Sequence, residues 1–436
     1  MDSLLPEGLL HFDAKISTLE HVRFLRLPPS LKSLNLTVLD MTIFDEHTLF
    51  IPPGLDSLSI SSPKLLHFHV PHLPNLKQLR LTTSSSFDWL SFQLPKAVEQ
   101  QLSVLHLHFS SAPALIDAAE RFPLLEELHL VAEPGSRGNF PSLCRHLPKH
   151  LQRLRIAGVE ITNQCDLRPY KALVELELHH CGLETLDPLT FPSNLQILSL
   201  RRNPLKTLLF AERTSLPRRL ISLSLSEARL TRLGSRDLPS TIEVLEVHST
   251  PIAEINLASY RNLKVVDFDR NNLRVVYDND LPSSLVSLSL QSNPLERVCF
   301  LAGQVHLKKV RIGNAERISE IDLSHVVRLA HLALGRGLPD IGQIHLPPGL
   351  EFLYLGLVGL NAVSKTLDHL ATSETRIQIV QDAWNSLGSG HFGRLPRSCK
   401  FVLTATGRRM LLQHEEIEEV IPLPRRGLVP GPFSLQ

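Results

Sequence analysis

Leucines recur in this chain about every 22 residues, and no other feature restricts its possible folds so tightly. The unit reads Leu-x-x-Leu-x-Leu, a variable pair, then Asn, Cys or a small residue, then Leu. Its clearest copy places Leu195, Leu198, Leu200, Asn203 and Leu205 in that order. Leu173–Leu183 repeats it with Cys181 in the Asn place, Leu285–Leu295 with Asn293, and Leu263–Leu273 with Asn271, Val266 and Phe268. In this frame the first positions fall at 31, 55, 76, 102, 125, 151, 173, 195, 220, 242, 263, 285, 307, 329 and 350. The nine steps from 151 to 350 are 22, 22, 25, 22, 21, 22, 22, 22 and 21, and the earlier ones range from 21 to 26. Stepping back 22 residues from Leu31 lands on Leu9, where Leu9, Phe12, Ala14 and Leu19 form a degraded copy, giving sixteen repeats. A unit this short cannot bury its leucines alone, so stability must come from stacking on its neighbours.

A second periodic signal is independent of the first. Proline stands three residues before the first leucine at Pro6, Pro28, Pro52, Pro148, Pro192, Pro217, Pro239, Pro282 and Pro347. Proline lacks an amide donor and fixes φ, so it ends the back segment of each unit and leads into the next strand. Within the unit, alternation of apolar residues predicts a short strand with every second side chain turned inward. The Asn position turns the chain, and its amide can satisfy backbone groups that the coil would otherwise bury. Later apolar residues (Leu186, Leu208, Leu233, Ile255, Val298, Ile321) close the back. So few residues per coil leave little room for a helix there, and short 3-10 or polyproline-like stretches are expected. A chain of 436 residues exceeds one compact core, and with only 6% aromatic residues the fill must be largely aliphatic.

This pattern resembles the leucine-rich-repeat superfamily over roughly residues 5–360. The resemblance implies a β-dominated repeat solenoid of α/β type, a horseshoe with a parallel β-sheet on its concave face and short 3-10 or extended convex segments. The short period and the Leu-Pro-x-x-Leu entry look like the short-repeat classes found in intracellular scaffold and regulatory proteins, fungal and amoebal repeat proteins, and bacterial ubiquitin-ligase effectors. Ala228 and Thr250 replace the Asn, so the asparagine ladder is expected to be patchy. The expected organisation is a solenoid over 1–360, a C-terminal cap over 361–420 and a Pro/Gly-rich tail over 421–436. In the cap, Ser364–Leu370 reads as a short helix, and Arg376–Val380 and Lys400–Leu403 have strand character. Because the frame is already running at Leu5, either a few residues cap the first coil or a preceding domain belongs there.

In this fold the variable positions beside the strand leucines line the concave face. They give Glu175, Glu177, His179 and His180, then Arg201 and Arg202, then Ser222, Ser224 and Glu227. Next come Glu246 and His248, then Asp267, Asp269 and Arg270, with Lys309 and Arg311 farther on and Phe352 and Tyr354 near the end. The strip alternates in sign, which selects partners more than it supplies raw affinity. Insertions at Ser84–Pro95 and Glu133–Arg137 are expected to protrude, with Phe87 or Trp89 a possible anchor and packing the commoner role.

Other chemistry finds less support. There are 45 basic against 44 acidic residues, and basic clusters such as Arg153/Arg155, Arg218/Arg219 and Lys308/Lys309/Arg311 are interleaved with acids, which argues against a nucleic-acid grip. There is no Gly-rich phosphate loop, no His-Glu-x-x-His and no Gly-x-Ser-x-Gly. The catalytic Cys-x-Asp of bacterial ligase effectors is not matched, since Lys400 and Phe401 follow Cys399. Of the 21 histidines, His106 and His129 hold equivalent positions, but a metal site normally needs three or four ligands. They are read as ordinary surface residues, with no metal and no cofactor expected. Five scattered cysteines without metal or redox spacing, no apolar run of 18 residues and no secretory leader point to a reducing, cytoplasmic setting, the nucleus also being open. The expected function is a non-catalytic protein-binding scaffold. The alternative is the substrate-recognition subunit of an F-box-type ubiquitin ligase whose adaptor-binding part lies outside this sequence.

Overall fold

The computed structural model describes residues 5–355 except 71–72, 84–86, 88–91, 93, 110–117, 133–143, 162, 209–215, 301–303, 314–316, 335–343, 346 and 348–349. It also describes strands 376–379, 403–405 and 408–410. The helix expected at 364–370, the loop 133–137, Trp89 and the tail lie outside the described residues.

Every first position of the frame is followed, two residues on, by a strand. Seventeen strands make one sheet, from His11–Ile16 through Glu175–His179 to Phe352–Leu355 and Arg376–Ile379. Each pairs in parallel with the next in sequence, and the register is that of the leucines: Leu34↔Leu58, Leu176↔Leu198, Leu223↔Leu245. Burial alternates along the strands, so Leu176 and Leu178 are enclosed while Glu175, Glu177 and His179 face outward. The enclosed leucines and their equivalents form a continuous core along the stack. Strand Arg376–Ile379 extends the sheet past Phe352–Leu355, and Leu403–Ala405 pairs antiparallel with Arg408–Met410.

The prolines have a more specific task than ending a segment. The amide of the first leucine donates to the proline carbonyl three residues back, at 3.1 Å for Leu31 to Pro28, 3.3 Å for Leu195 to Pro192 and 3.2 Å for Leu285 to Pro282. Each repeat is thus entered through a β-turn. Tyr170 and Tyr260 take the proline's place in two repeats and close the same turn. Their hydroxyls reach into the preceding coil: Tyr170 donates to the Cys144 carbonyl at 2.6 Å and Tyr260 to the Gly234 carbonyl at 2.8 Å.

Two halves of the sheet differ. Strands up to Glu175–His179 have five or six residues, whereas the next five have three. The eighth position of the unit also changes along the chain, beginning two strands before the shortening. From Gly158 (φ 75°) through His180, Arg202, Glu227, Ser249, Arg270 and Ser292 this residue is left-handed, with φ between 54° and 61° at the non-glycines. A left-handed residue ends the extended backbone, and the buried Asn beside it takes over the released groups. Asn203 accepts the amides of Cys181 at 2.8 Å and Leu183 at 3.3 Å and donates to the carbonyls of Leu178 (2.7 Å), Leu200 (2.9 Å) and Arg201 (3.3 Å). Asn271 and Asn293 repeat this pattern. Thr250 keeps a thinner version, and Cys181 donates its thiol to the His179 carbonyl. Burial pushes the Cys181 thiol up to about 12, so it stays protonated.

On the convex side, two- and three-residue parallel bridges join neighbouring coils, for example Val275–Val276, Arg297–Cys299 and Glu320–Asp322. One 3-10 turn, Asp278–Asp280, accompanies them. Helices occur at Leu19–Arg23, Lys96–Gln101 and Ala118–Arg121, all in the earlier part of the chain, where the looser steps leave more room. Phe44, Phe68 and Phe92 stack along successive coils there, with centroids 5.4 and 6.2 Å apart, and Phe87 packs edge-on to Phe92. Phe87 is therefore a packing residue. Two cysteines depart from the sequence reading: Cys144 and Cys165, 21 residues apart, form a disulfide between adjacent coils. Stacking brought together residues whose spacing carried no signal, and the cysteine argument for a reducing compartment no longer holds. No helix among the described residues is long and apolar enough to cross a membrane.

Candidate functional site

The outward positions of successive strands lie side by side, about 4.8 Å apart, so their side chains pair from strand to strand. Arg155 Nε stands 3.4 Å from Glu177, and the same carboxylate is 3.5 Å from His179 Nε2. His179 Nε2 is also 2.7 Å from the Ser199 hydroxyl. Arg201 donates to Ser224 at 2.8 Å and, two strands on, to Glu246. Asp267 accepts the Asp269 amide at 2.8 Å, while Asp269 accepts the Ser289 hydroxyl (2.5 Å) and the Gln291 amide (2.8 Å). Arg311 reaches Gln291 at 3.1 Å.

The structure therefore joins residues expected from the sequence into three local groups, around Glu177, Arg201 and Asp269. Glu175 is half-buried beside Glu177, and burial, then that neighbouring charge, raises its pKa. His248 is held below its usual value by burial and by Arg201. His180, Arg202 and Arg270 occupy the left-handed turn and are exposed, so they form a rim beside the strip; Arg202 pairs there with Glu227 at 3.1 Å. Lys309 is exposed on its strand.

A denser cluster lies upstream, in repeats that the sequence strip did not include. His106 and His129 are register partners whose rings stack at 3.9 Å with planes 8° apart. Glu127 Oε1 lies 2.5 Å from His106 Nε2 and 3.4 Å from His129 Nε2, and Arg153 Nε donates to Glu127 Oε2 at 2.6 Å. Arg80 Nε donates to His106 Nδ1 at 3.0 Å. The sequence did carry the signal: His106 and His129 share a frame position, and Glu127 stands at the third place of its own repeat on the same face. What it lacked was the rotamer that turns Glu127 toward both rings.

Burial sets the protonation of this face. The His106 hydrogen bond, followed by Arg153, holds Glu127 down at about 2 despite its burial. Burial, reinforced by nearby cations, lowers His129 and His179 to about 4, so both are neutral at pH 7. Burial and Asp269 push Asp267 up to about 6. A carboxyl raised on folding binds a proton more tightly folded than unfolded between its ordinary value of 3.8 and 6, so its cost is full above pH 6 and vanishes below 3.8. Asp267→Asn should therefore raise the melting temperature at pH 8, and the gain should disappear at pH 3.5. Equal gains at both pH values would contradict this placement of Asp267.

No family model matches the chain, and no curated protein matches it. Solved structures do. One is the mouse RP105/MD-1 complex, at 14% identity over 91% of this chain and 71% of that one, TM-score 0.57. Another is a leucine-rich-repeat protein of Leptospira interrogans, at 16% identity over 86% of this chain and 93% of that one, TM-score 0.48. A third is the functional domain of InlJ from Listeria monocytogenes, at 14% identity over 86% and 74%, TM-score 0.47.

Proposed function

We propose that this chain, which folds as a leucine-rich-repeat solenoid, is a non-catalytic recognition module that binds another protein through the central strip of its concave face. The observation that carries the reading is three groups of strand-to-strand contacts between Arg155 and Arg311, around Glu177, Arg201 and Asp269, which fix charged side chains on a continuous sheet before any partner arrives. Groups already ordered lose little entropy on binding, and their alternating sign rejects mismatched surfaces. The similar structure of RP105 is a complex with a second protein, MD-1, which supports this use of the fold. The narrower F-box assignment draws no support from any feature of the described residues.

Arg155 and Arg201 are about 40% exposed at their side chains, so they can be changed without opening the core. Arg155→Ser with Arg201→Ser is expected to weaken capture of native partners at least tenfold, as read by quantitative affinity purification. Lys206→Ser with Glu184→Ser, an exposed pair off the strands, is the control and should leave capture unchanged. Equal losses from both pairs, or from neither, would rule out the concave strip.

A further inference from the structure

We propose that His106, Glu127 and His129 form a binding site for a divalent transition metal of the zinc class. One donor atom from each of the three lies within 4.8 Å of the other two. The geometry follows from the sheet: the two histidines face each other across the Val104–Phe109 and Glu127–Ala132 strands, and Glu127 precedes His129 by two residues on the same face. Stacked rings present the same edge to one carboxylate oxygen, at 2.5 and 3.4 Å. Metal bonds of about 2.0–2.2 Å in a tetrahedron separate donors by roughly 3.3 Å, and because the lone pairs of stacked rings lie in parallel planes, loading turns the two imidazoles out of their stack until both converge beside Oε1.

The chemistry of the donors selects the ion. Two imidazoles with one carboxylate suit zinc, copper, nickel or cobalt, whereas magnesium and calcium prefer all-oxygen sites. Three protein ligands leave a fourth position for water or for a side chain brought by a partner. Arg153 holds the other oxygen of Glu127 and so aims Oε1 at the rings.

One contact opposes loading and makes the site testable. Arg80 donates to His106 Nδ1, so the neutral ring carries its proton on Nε2, toward Glu127. A metal on Nε2 requires that proton on Nδ1 and requires Arg80 to withdraw. A purely structural His–Glu–Arg cluster would be indifferent to metal and would lose a contact when Arg80 is removed.

The experiment is titration of the tag-free full chain with cobalt(II) at pH 7.5, read by its visible ligand-field band and by competition with zinc. With 21 histidines in the chain, total metal uptake is uninformative, and the band must be assigned by substitution. The wild type is expected to show one equivalent of low-symmetry cobalt displaced by zinc. Glu127→Gln and His129→Gln should each weaken it at least tenfold. Arg80→Leu, an exposed side chain that leaves all three ligands in place, should tighten it about tenfold. The proposal is overturned if the wild type shows no such band, if both ligand variants keep it, or if Arg80→Leu binds no more tightly. None of these outcomes depends on whether the concave strip binds a protein.

Discussion

Asn203→Ala is expected to lower unfolding stability by about 3–5 kcal/mol, the largest loss from any single polar substitution among the described residues. The Asn203 amide is fully buried, and five backbone groups of two coils converge on it. Alanine leaves them with no water to turn to, and each buried orphan costs about 1–3 kcal/mol before relaxation recovers part of it. The comparison is Asn194→Ala, which removes two exposed bonds, one donated to the Lys171 carbonyl and one accepted from Arg219, and should cost under about 0.5 kcal/mol. Denaturant titration of both variants measures the difference. A loss below about 1 kcal/mol at Asn203 would mean that the coils are held by leucine packing alone.

Gly158→Ala is expected to cost about 3 kcal/mol or more, for a different reason. Gly158 is the first left-handed eighth position, with φ of 75°. It lies against the end of the long strand Glu127–Ala132, so an added Cβ would sit 2.4 Å from the Ala132 carbonyl oxygen. Backbone must move to admit it. Gly182 has a similar φ of 70°, but its Cβ would meet only the Glu160 side chain at 3.7 Å. Gly182→Ala should therefore pay only the left-handed penalty, about 1–2 kcal/mol. Equal losses at the two glycines, in paired thermal or denaturant unfolding, would show that the approach to Ala132 is not limiting. Later repeats place His180, Arg202 and Glu227 at this turn, and the strands before Arg202 and Glu227 have only three residues.

Much of the fold was legible because the leucine period and the coil geometry are one constraint written twice. A residue at the fourth or sixth place of the unit has to face the neighbouring coil, so Leu176, Leu198 and Leu223 were assigned to the core from their positions alone, and they pair there. The same reasoning placed Glu177, His179, Arg201 and Asp269 on the open face. It did not show that Arg201 reaches across the neighbouring strand Ser222–Ser224 to Glu246, nor that burial and Asp269 push Asp267 up to about 6. Those depend on side-chain rotamers and on solvent exclusion, which have no period.

From sequence alone came the stacking, the strand register, the proline entries and the side of the sheet on which each charged residue lies. All of these follow from a repeat that hides its aliphatic face only against its own copies. The tertiary structure decided which distant side chains meet: Cys144 with Cys165, Tyr170 with the Cys144 carbonyl, and His106 with Glu127 and His129. Such meetings turn on separations of a few ångströms between coils, and a period measured in residues does not resolve them.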